Sequence, residues 1–291
     1  TSRSSGARAQ LLLAIHHLAV DGVSWRILFE DLEHLRLNDN LPMRTNSVRD
    51  WSQALLDQRD AREIEFEAWR DTLAGAQALG VDAILSPDKN QSGEAEQYVS
   101  LVLPEIAENL VDITRIYHTG MDEILVTGLG LALTAWQQSR FGMTPGPLLI
   151  DLESHGRQSD STDLDITHTV GWFTSVYPVR FDISARDLSD ALSGGICAGL
   201  TLRKTKESIA NMPDKGLGFG ILRELNVKTK QAMAGLPTAE ILFNYLGRFE
   251  QSQSQAGWYP SQMMGSEDDQ NRARMHALEV NAAFNEKGDL Q

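Results

Sequence analysis

The most informative pattern of apolar and polar positions lies in residues 9–32, where an apolar run ends in two adjacent histidines and an Asp-Gly pair. The run from Leu11 to Ile15 predicts a buried strand, and the pair Asp21-Gly22 predicts a turn. An amphipathic helix is predicted after it, with an inward side formed by Val23, Ile27, Leu28, Leu32 and Leu35. Successive side chains of a strand point to opposite faces, so His16 and His17 cannot both face one cavity.

Periodicity along the rest of the chain predicts helices and strands in alternation. Two amphipathic helices follow the first, marked by Val48, Trp51, Leu55 and Leu56 and then by Phe66, Trp69 and Leu73. Helices are also predicted over 106–117, 122–138 (apolar nearly all round, hence buried) and 185–210; strands over 98–104, 147–153, 175–183, 239–247 and 275–284; and polar loops over 154–168 and 251–257. This interleaving predicts an α/β fold with sheets covered by helices.

Residues 74–97 interrupt the periodicity, because they are rich in small, polar and turn-forming types. They predict a linker, with one lobe over residues 1–95 and a second over 96–291. A strand that begins near residue 11 leaves no room upstream for its sheet neighbours. We therefore expect an incomplete N-terminal lobe and a chain that is a fragment of a larger polypeptide.

Composition narrows the functional class only slightly. The 291 residues are 42% hydrophobic and 23% charged, as in globular proteins, and the net charge of −14 argues against a nucleic-acid partner. Cys197 is the one cysteine, and its small apolar neighbours predict a structural part for it; Trp172 and Phe173 are predicted core residues. No apolar run of eighteen residues and no signal peptide is found, so a cytoplasmic location is predicted.

The pattern His-His-x-x-x-Asp-Gly places an imidazole near a carboxylate, and an imidazole can take or give a proton near pH 7. Two partly buried histidines closing a strand are the alternative interpretation. A metal site is disfavoured, because adjacent strand residues diverge and no second cluster of His or Cys has ligand spacing. Asp21 is predicted to orient the turn by pairing with a cation such as an arginine, and Gly22 to supply a conformation closed to other residues.

The segment HHLAVDGVSWRILFEDL at 16–32 resembles the active-site segment of the condensation superfamily of non-ribosomal peptide synthetases, and its second half is most similar to the epimerization branch. Four more stretches agree with that branch, in the order that the branch requires. They are DLESHGR at 151–157, TVGWFTSVYPV at 169–179, PDKGLGFGILREL at 213–225 and ILFNYLGRFE at 241–250. The resemblance implies two lobes like chloramphenicol acetyltransferase with the active site between them.

The same resemblance implies a reaction and the residues that perform it. The α-carbon of an aminoacyl or peptidyl thioester, carried on the phosphopantetheine of a peptidyl carrier domain, would be inverted by His17 and Glu153. Arg157, Asn244 and Tyr245 match the family's motifs and would stabilise the enolate oxygen, with Tyr245 counted among the catalytic groups. Adjacent strand residues point opposite ways, however, so Tyr245 is also interpreted as a core aromatic. No metal or redox cofactor is implied.

Two residues depart from the family's usual sequence, and two other functions are alternatives to epimerization. Ser154 and His168 stand where the family usually has Gly and Arg; Ser154 requires that the backbone avoid a Gly-only conformation, and His168 removes a permanent charge. An amide-forming condensation domain shares the His-His motif, but Glu153 and the DKGLGFG stretch favour the epimerization branch. A non-catalytic module that docks a carrier domain is disfavoured by intact His17, Asp21 and Glu153.

Overall fold

A computed structural model of the chain describes residues 11–80, 91–157, 162–248, 271, 273–285 and 288–291. The helices are α1 (Gly22–Leu37), α2 (Val48–Gln58), α3 (Phe66–Leu73), α4 (Pro104–Tyr117), α5 (Met121–Phe141), α6 (Ala185–Leu192), α7 (Ile196–Ala210), α8 (Leu217–Gly220) and α9 (Val227–Met233). The strands are β1 (Leu148–Ser154), β2 (Ser175–Phe181), β3 (Ile241–Arg248) and β4 (Leu278–Phe284). The α/β class predicted from periodicity is confirmed. The predicted loop at 251–257 lies outside the described residues.

The four strands form one mixed sheet in the order β2-β1-β3-β4. Strand β2 runs antiparallel to β1, with Leu148 opposite Phe181 and Ser154 opposite Ser175, whereas β3 is parallel to both β1 and β4. The first five residues of β1 are buried, because helices cover both faces of this inner strand. The carboxyl end of β1, where burial decreases, is therefore the place where a polar side chain can reach a cleft.

Helix α5 packs closely on one face of the sheet. A Cβ atom at Gly130 would lie 2.5 Å from the ring of Phe181, so only glycine lets the helix approach the strand this closely. From the N-terminal side of the predicted boundary at residue 95, α3 buries Trp69 and Leu73 in the same core as β1 and β3. The division into lobes at residue 95 stays a prediction, and a shared apolar core crosses it.

Two predicted strands are wrong. Residues 11–15 and 98–103 have no regular structure, and apolar side chains in both segments are exposed, Leu12 to 68% and Tyr98 to 83%. No strand pairs with either segment within the part of the chain that the structure describes, and an unpaired strand leaves its backbone groups unsatisfied. On α1 the predicted inward side ends early, because Leu35 is 56% exposed.

Candidate active site

The two adjacent histidines have different surroundings. His16 precedes a single 3₁₀ turn (His17–Ala19), and its Nδ1 accepts a hydrogen bond from the backbone N–H of Leu18 at 3.1 Å. The ring of His17 lies 5.4 Å from the ring of Trp172. Trp172 was predicted to be a core residue, but it is 46% exposed and flanks the imidazole instead. His16 thus uses its Nδ1 in a hydrogen bond to the backbone, whereas the ring of His17 contacts an aromatic side chain.

Asp21 is a buried anchor with four hydrogen bonds. Its side chain caps α1 by accepting the N–H of Ser24 at 2.7 Å, and it also accepts Nη2 of Arg157 at 2.9 and 3.1 Å and the N–H of Phe173 at 3.2 Å. Burial alone would raise the pKa of Asp21, but the hydrogen bonds from Ser24, Arg157 and Phe173 outweigh burial and lower it. The predicted pairing of Asp21 with an arginine is confirmed.

Arg157 was predicted to be an enolate donor, but its contacts are with protein groups. Its Nη1 donates to the carbonyls of Ile166 at 3.0 Å and Thr169 at 2.6 Å, and its guanidinium lies 4.2 Å above the ring of Phe173. With its side chain only 5% exposed and both terminal nitrogens bonded to protein groups, Arg157 has no terminal donor left for a substrate. It ties the segment after β1 to the start of α1, which brings His17 towards the end of β1.

The glycine that this junction needs is Gly156 and not Gly22, which corrects the prediction. Gly22 is the first residue of α1, and a Cβ there would meet nothing within 4 Å. Gly156 has a φ of +64°, and its Cβ would lie 1.7 Å from the carbonyl oxygen of Phe173. Ser154 ends β1 paired with Ser175, without a positive φ, so the serine that replaces the family's glycine is accommodated.

Glu153 is the half-buried carboxyl at the end of β1, and no described residue donates a hydrogen bond to it. Its pKa is raised above the ordinary value, mainly by burial and further by the charge of Glu279, while the charges of His17 and His276 oppose the rise. A carboxyl with a raised pKa holds a proton at higher pH than an exposed glutamate does. The structure therefore brings Glu153 into electrostatic range of His17, from a different segment of the fold.

Asn244 and Tyr245 point to opposite faces of β3, as alternation requires. Leu152 pairs with Phe243, so Glu153 and Asn244 are the next residues of the two parallel strands and share a face. Tyr245 packs on the other side, against the apolar clusters that contain Phe243 and Phe284, and burial is the main cause of its raised pKa. The structure places Asn244 beside Glu153 and does not bring Tyr245 there, which favours the core interpretation of the tyrosine.

Two polar contacts near the site were missed by sequence reasoning. His276 precedes β4, and its Nε2 lies 2.8 Å from Oδ2 of Asp151 on β1, both side chains being nearly buried. His168, which replaces the family's arginine, lies 3.1 Å from Asp31 of α1 and so forms a contact between its loop and that helix. The strand pattern predicted the position of Asp151, but nothing local connected residue 151 to residue 276.

Groups of three or more metal-binding side chains are absent from the described parts of the chain. None of the described helices combines the length and apolarity that crossing a bilayer requires. The pKa of Cys197 is raised to about 11 by a hydrogen bond to Asp190, by burial and by acidic neighbours. A thiol in these surroundings is a poor nucleophile, which agrees with the predicted structural part.

Comparison with known proteins gives a consistent family. The model of the condensation domain matches residues 3–291. Tyrocidine synthase 2 of Brevibacillus parabrevis is 35% identical over 97% of this chain and 8% of its own length, and surfactin synthase subunit 1 of Bacillus subtilis (strain 168) is 36% identical over 86% and 7%. The chain thus spans less than a tenth of the length of these curated relatives.

Solved structures agree in fold. The epimerization domain from the third module of tyrocidine synthetase B superposes with a TM-score of 0.76 at 31% identity, covering 95% of this chain and 60% of that one. The first condensation domain of the CDA synthetase superposes with a TM-score of 0.56 at 13% identity, covering 95% and 55%, and supports the fold alone.

Proposed function

Because this chain belongs to the condensation-domain family, we propose that it is an epimerization domain of a non-ribosomal peptide synthetase. In this proposal it inverts the α-carbon of an aminoacyl or peptidyl residue held as a phosphopantetheine thioester on a carrier domain. The 31% identity to the epimerization domain of tyrocidine synthetase B supports this branch, as do the stretches at 151–157 and 213–225. The carrier domain is the expected partner, and the epimerization domain supplies the acid and the base.

The observation that carries the proposal is that Glu153, near the end of β1, lies within electrostatic range of His17, in the turn before α1. Inversion requires a proton to leave one face of the α-carbon and another to arrive at the opposite face. Glu153 comes from β1 and His17 from the turn before α1, and the charge of His17 acts on the pKa of Glu153. Two groups on separate segments, one facing each side of the substrate's α-carbon, would meet this stereochemical requirement directly.

Asn244 supplies the third function that the reaction needs. Loss of the α-proton delocalises charge onto the thioester oxygen, and a fixed donor close to that oxygen lowers the barrier. The side-chain amide of Asn244 lies on the same face as Glu153, one strand away, and it forms no hydrogen bond with any described residue. Of the three predicted enolate donors it is therefore the one that we retain.

The test is hydrogen exchange at the α-carbon in D₂O. The full-length protein, mixed with a carrier domain loaded with an L-aminoacyl or L-peptidyl thioester, should give D-configured product with deuterium at Cα, read by chiral chromatography and mass spectrometry after release. With a second carrier domain present, whose aminoacyl amine can attack the thioester and release the first carrier's thiol, an amide product with an unexchanged α-carbon would instead identify the condensation reaction. Neither exchange nor an amide would favour the non-catalytic docking module.

Replacing Glu153 by Gln tests the two-group mechanism itself. If each group serves one face, proton removal from one stereoisomer should fall about 10²- to 10⁴-fold, the usual contribution of a positioned acid or base. The other isomer should still lose its proton to His17 and regain deuterium on the same side without inversion. Equal loss of exchange from the L and D thioesters would contradict the assignment and make Glu153 a substrate-holding residue.

Amide formation is the second candidate function. The matched family model carries the name of the condensation domain, and a condensation domain is among the structural neighbours. That neighbour is only 13% identical, so its likeness supports the shared fold and not its reaction. We rank this candidate below epimerization because Glu153, with its raised pKa, gives a second group for proton transfer.

A further inference from the structure

A row of polar side chains crosses three strands at the level of Glu153. Asn244 of β3 is the register partner of Asn281 of β4. The parallel register of β1 and β3 pairs Leu152 with Phe243, and Glu153 and Asn244 are the next residues along these two strands. Partners in a sheet carry their side chains on the same face. Glu153, Asn244 and Asn281 therefore form one row, which we call the polar row, and Asn281 lies on β4, the last of the described strands in the order β2-β1-β3-β4.

The two asparagines of the polar row have unused hydrogen-bonding groups. Within the described ranges, neither Asn244 nor Asn281 forms a side-chain hydrogen bond, and Asn281 is exposed. Asparagine is depleted in strands, so two of them in register need a reason other than sheet stability. By contrast Asp151, two residues before Glu153 on the same face, is bonded to His276 at 2.8 Å. The open amides lie only at the level of Glu153.

An asparagine amide both donates and accepts, which matches the N–H and C=O of a secondary amide. Asn281 lies two strand spacings of about 4.8 Å each from β1, so it reaches a group further from the reacting carbon than Asn244 does. The geometry points to Asn281 as a substrate-binding residue that hydrogen-bonds a secondary amide of the carrier-bound acyl chain. This inference rests on the proposed function, because it assumes a thioester beside Glu153 and Asn244.

Two parts of such a substrate contain secondary amides: the peptide bond before the reacting residue, and the pantetheine arm. Four substrates separate these sources. They are an aminoacyl and a dipeptidyl group, each carried either on the full carrier arm or as an S-propyl thioester, which has no amide in its thiol portion. The kinetic constants for α-carbon exchange are measured with each substrate for the wild type and for Asn281→Leu, which keeps the side-chain size and removes the amide.

Asn281→Leu should lower kcat/KM about tenfold, the effect of one neutral hydrogen bond, and only for substrates that contain the contacted amide. A loss confined to dipeptidyl substrates identifies the peptide bond, and a loss confined to carrier-bound substrates identifies the arm. Asn281→Gln, which keeps the amide on a longer stem, should recover part of the loss. Equal rates for wild type and Asn281→Leu with all four substrates, or the same loss with all four, would overturn the inference.

Binding of an unreactive analogue separates failure of this inference from failure of the proposed function. The dissociation constant of a dipeptidyl amide analogue, with nitrogen in place of the thioester sulfur on the carrier arm, requires no turnover. Weaker binding to Asn281→Leu with no exchange by the wild type would retain the amide contact and reject epimerization. Normal exchange by the wild type with unchanged binding to Asn281→Leu would retain epimerization and reject the amide contact. An unchanged thermal unfolding midpoint checks that the exposed replacement leaves the fold intact.

Discussion

Asp21→Asn should destabilise the fold by about 3 to 5 kcal/mol, because it leaves the guanidinium of Arg157 buried without its counter-charge. Arg157 is 5% exposed and Asp21 2%, so water cannot replace the lost partner. Asparagine caps helices about as well as aspartate, so the bond to the N–H of Ser24 is retained and the loss reports the charge pair. With total stabilities of about 5–15 kcal/mol for ordinary domains, a large part of the folding free energy depends on this pair.

The assay is equilibrium unfolding in urea at pH 7, with Ser47→Ala as the matched control. Ser47 caps α2 in the same way, but it is exposed and, among the described residues, its side chain bonds only to Asp50, so its loss should cost about 1 kcal/mol. The double variant with Arg157→Met should be less destabilised than the sum of the two single changes, since no charge is left unpaired. If Asp21→Asn costs no more than Ser47→Ala, the buried pair is not what joins the two segments.

The same pair gives the protein an acid dependence of stability. The pKa of Asp21 is lowered in the fold, so its carboxylate binds fewer protons in the folded than in the unfolded state. Its contribution to stability is therefore fully present above the unfolded pKa of about 4 and is lost as the pH falls through the folded pKa. Asp21→Asn should remove this part of the acid dependence, measured as a flatter unfolding free energy below about pH 4.

Three further outcomes are expected. His17→Ala should abolish inversion without changing the unfolding midpoint, because one face of the α-carbon loses its acid or base, whereas His16→Ala should retain inversion and lower the midpoint; the reverse result would interchange their roles. Glu279→Gln should move the titration of Glu153, followed by the pH profile of exchange, to lower pH, because it removes a charge that raises that pKa; a shift to higher pH would contradict this. Gly156→Ala should yield little folded protein by circular dichroism, because the added carbon overlaps a carbonyl oxygen; a normal yield would show that the turn rearranges.

Local patterns were sufficient to predict the elements that bury apolar side chains within one segment. Helix α5 is apolar on most sides, and β1 is a short, mostly apolar run with a carboxylate, Glu153, next to its last residue, so both follow from periodicity alone. Residues 98–103 alternate between apolar and polar types as a strand does, yet they form no strand. Alternation indicates which side chains could share a face, whereas pairing depends on a partner that is distant in sequence.

Some features of the site follow from neighbouring residues, whereas others depend on residues that are distant in sequence. Alternation on β3 correctly predicted that Asn244 and Tyr245 diverge, because only the neighbouring residue is needed for that inference. The choice of Gly156 over Gly22 required the position of the Phe173 carbonyl, seventeen residues further along the chain. Likewise, nothing in the spacing of Arg157 distinguishes a substrate donor from a buried partner of Asp21, since the distinction lies in what surrounds the guanidinium.

The hydrogen bonds of the motif residues separate those that hold the fold together from those that are available to a substrate. Asp21 and Arg157 belong to the sequence patterns that suggested catalysis, yet their hydrogen bonds are to each other, to the backbone and to the hydroxyl of Ser24. Glu153 receives no hydrogen bond from a described residue and has a raised pKa, so its carboxyl oxygens are available to exchange a proton with a substrate. Loss of activity in a variant of Asp21 or Arg157 is therefore expected to follow loss of stability, whereas in a variant of Glu153 activity should fall while the fold persists.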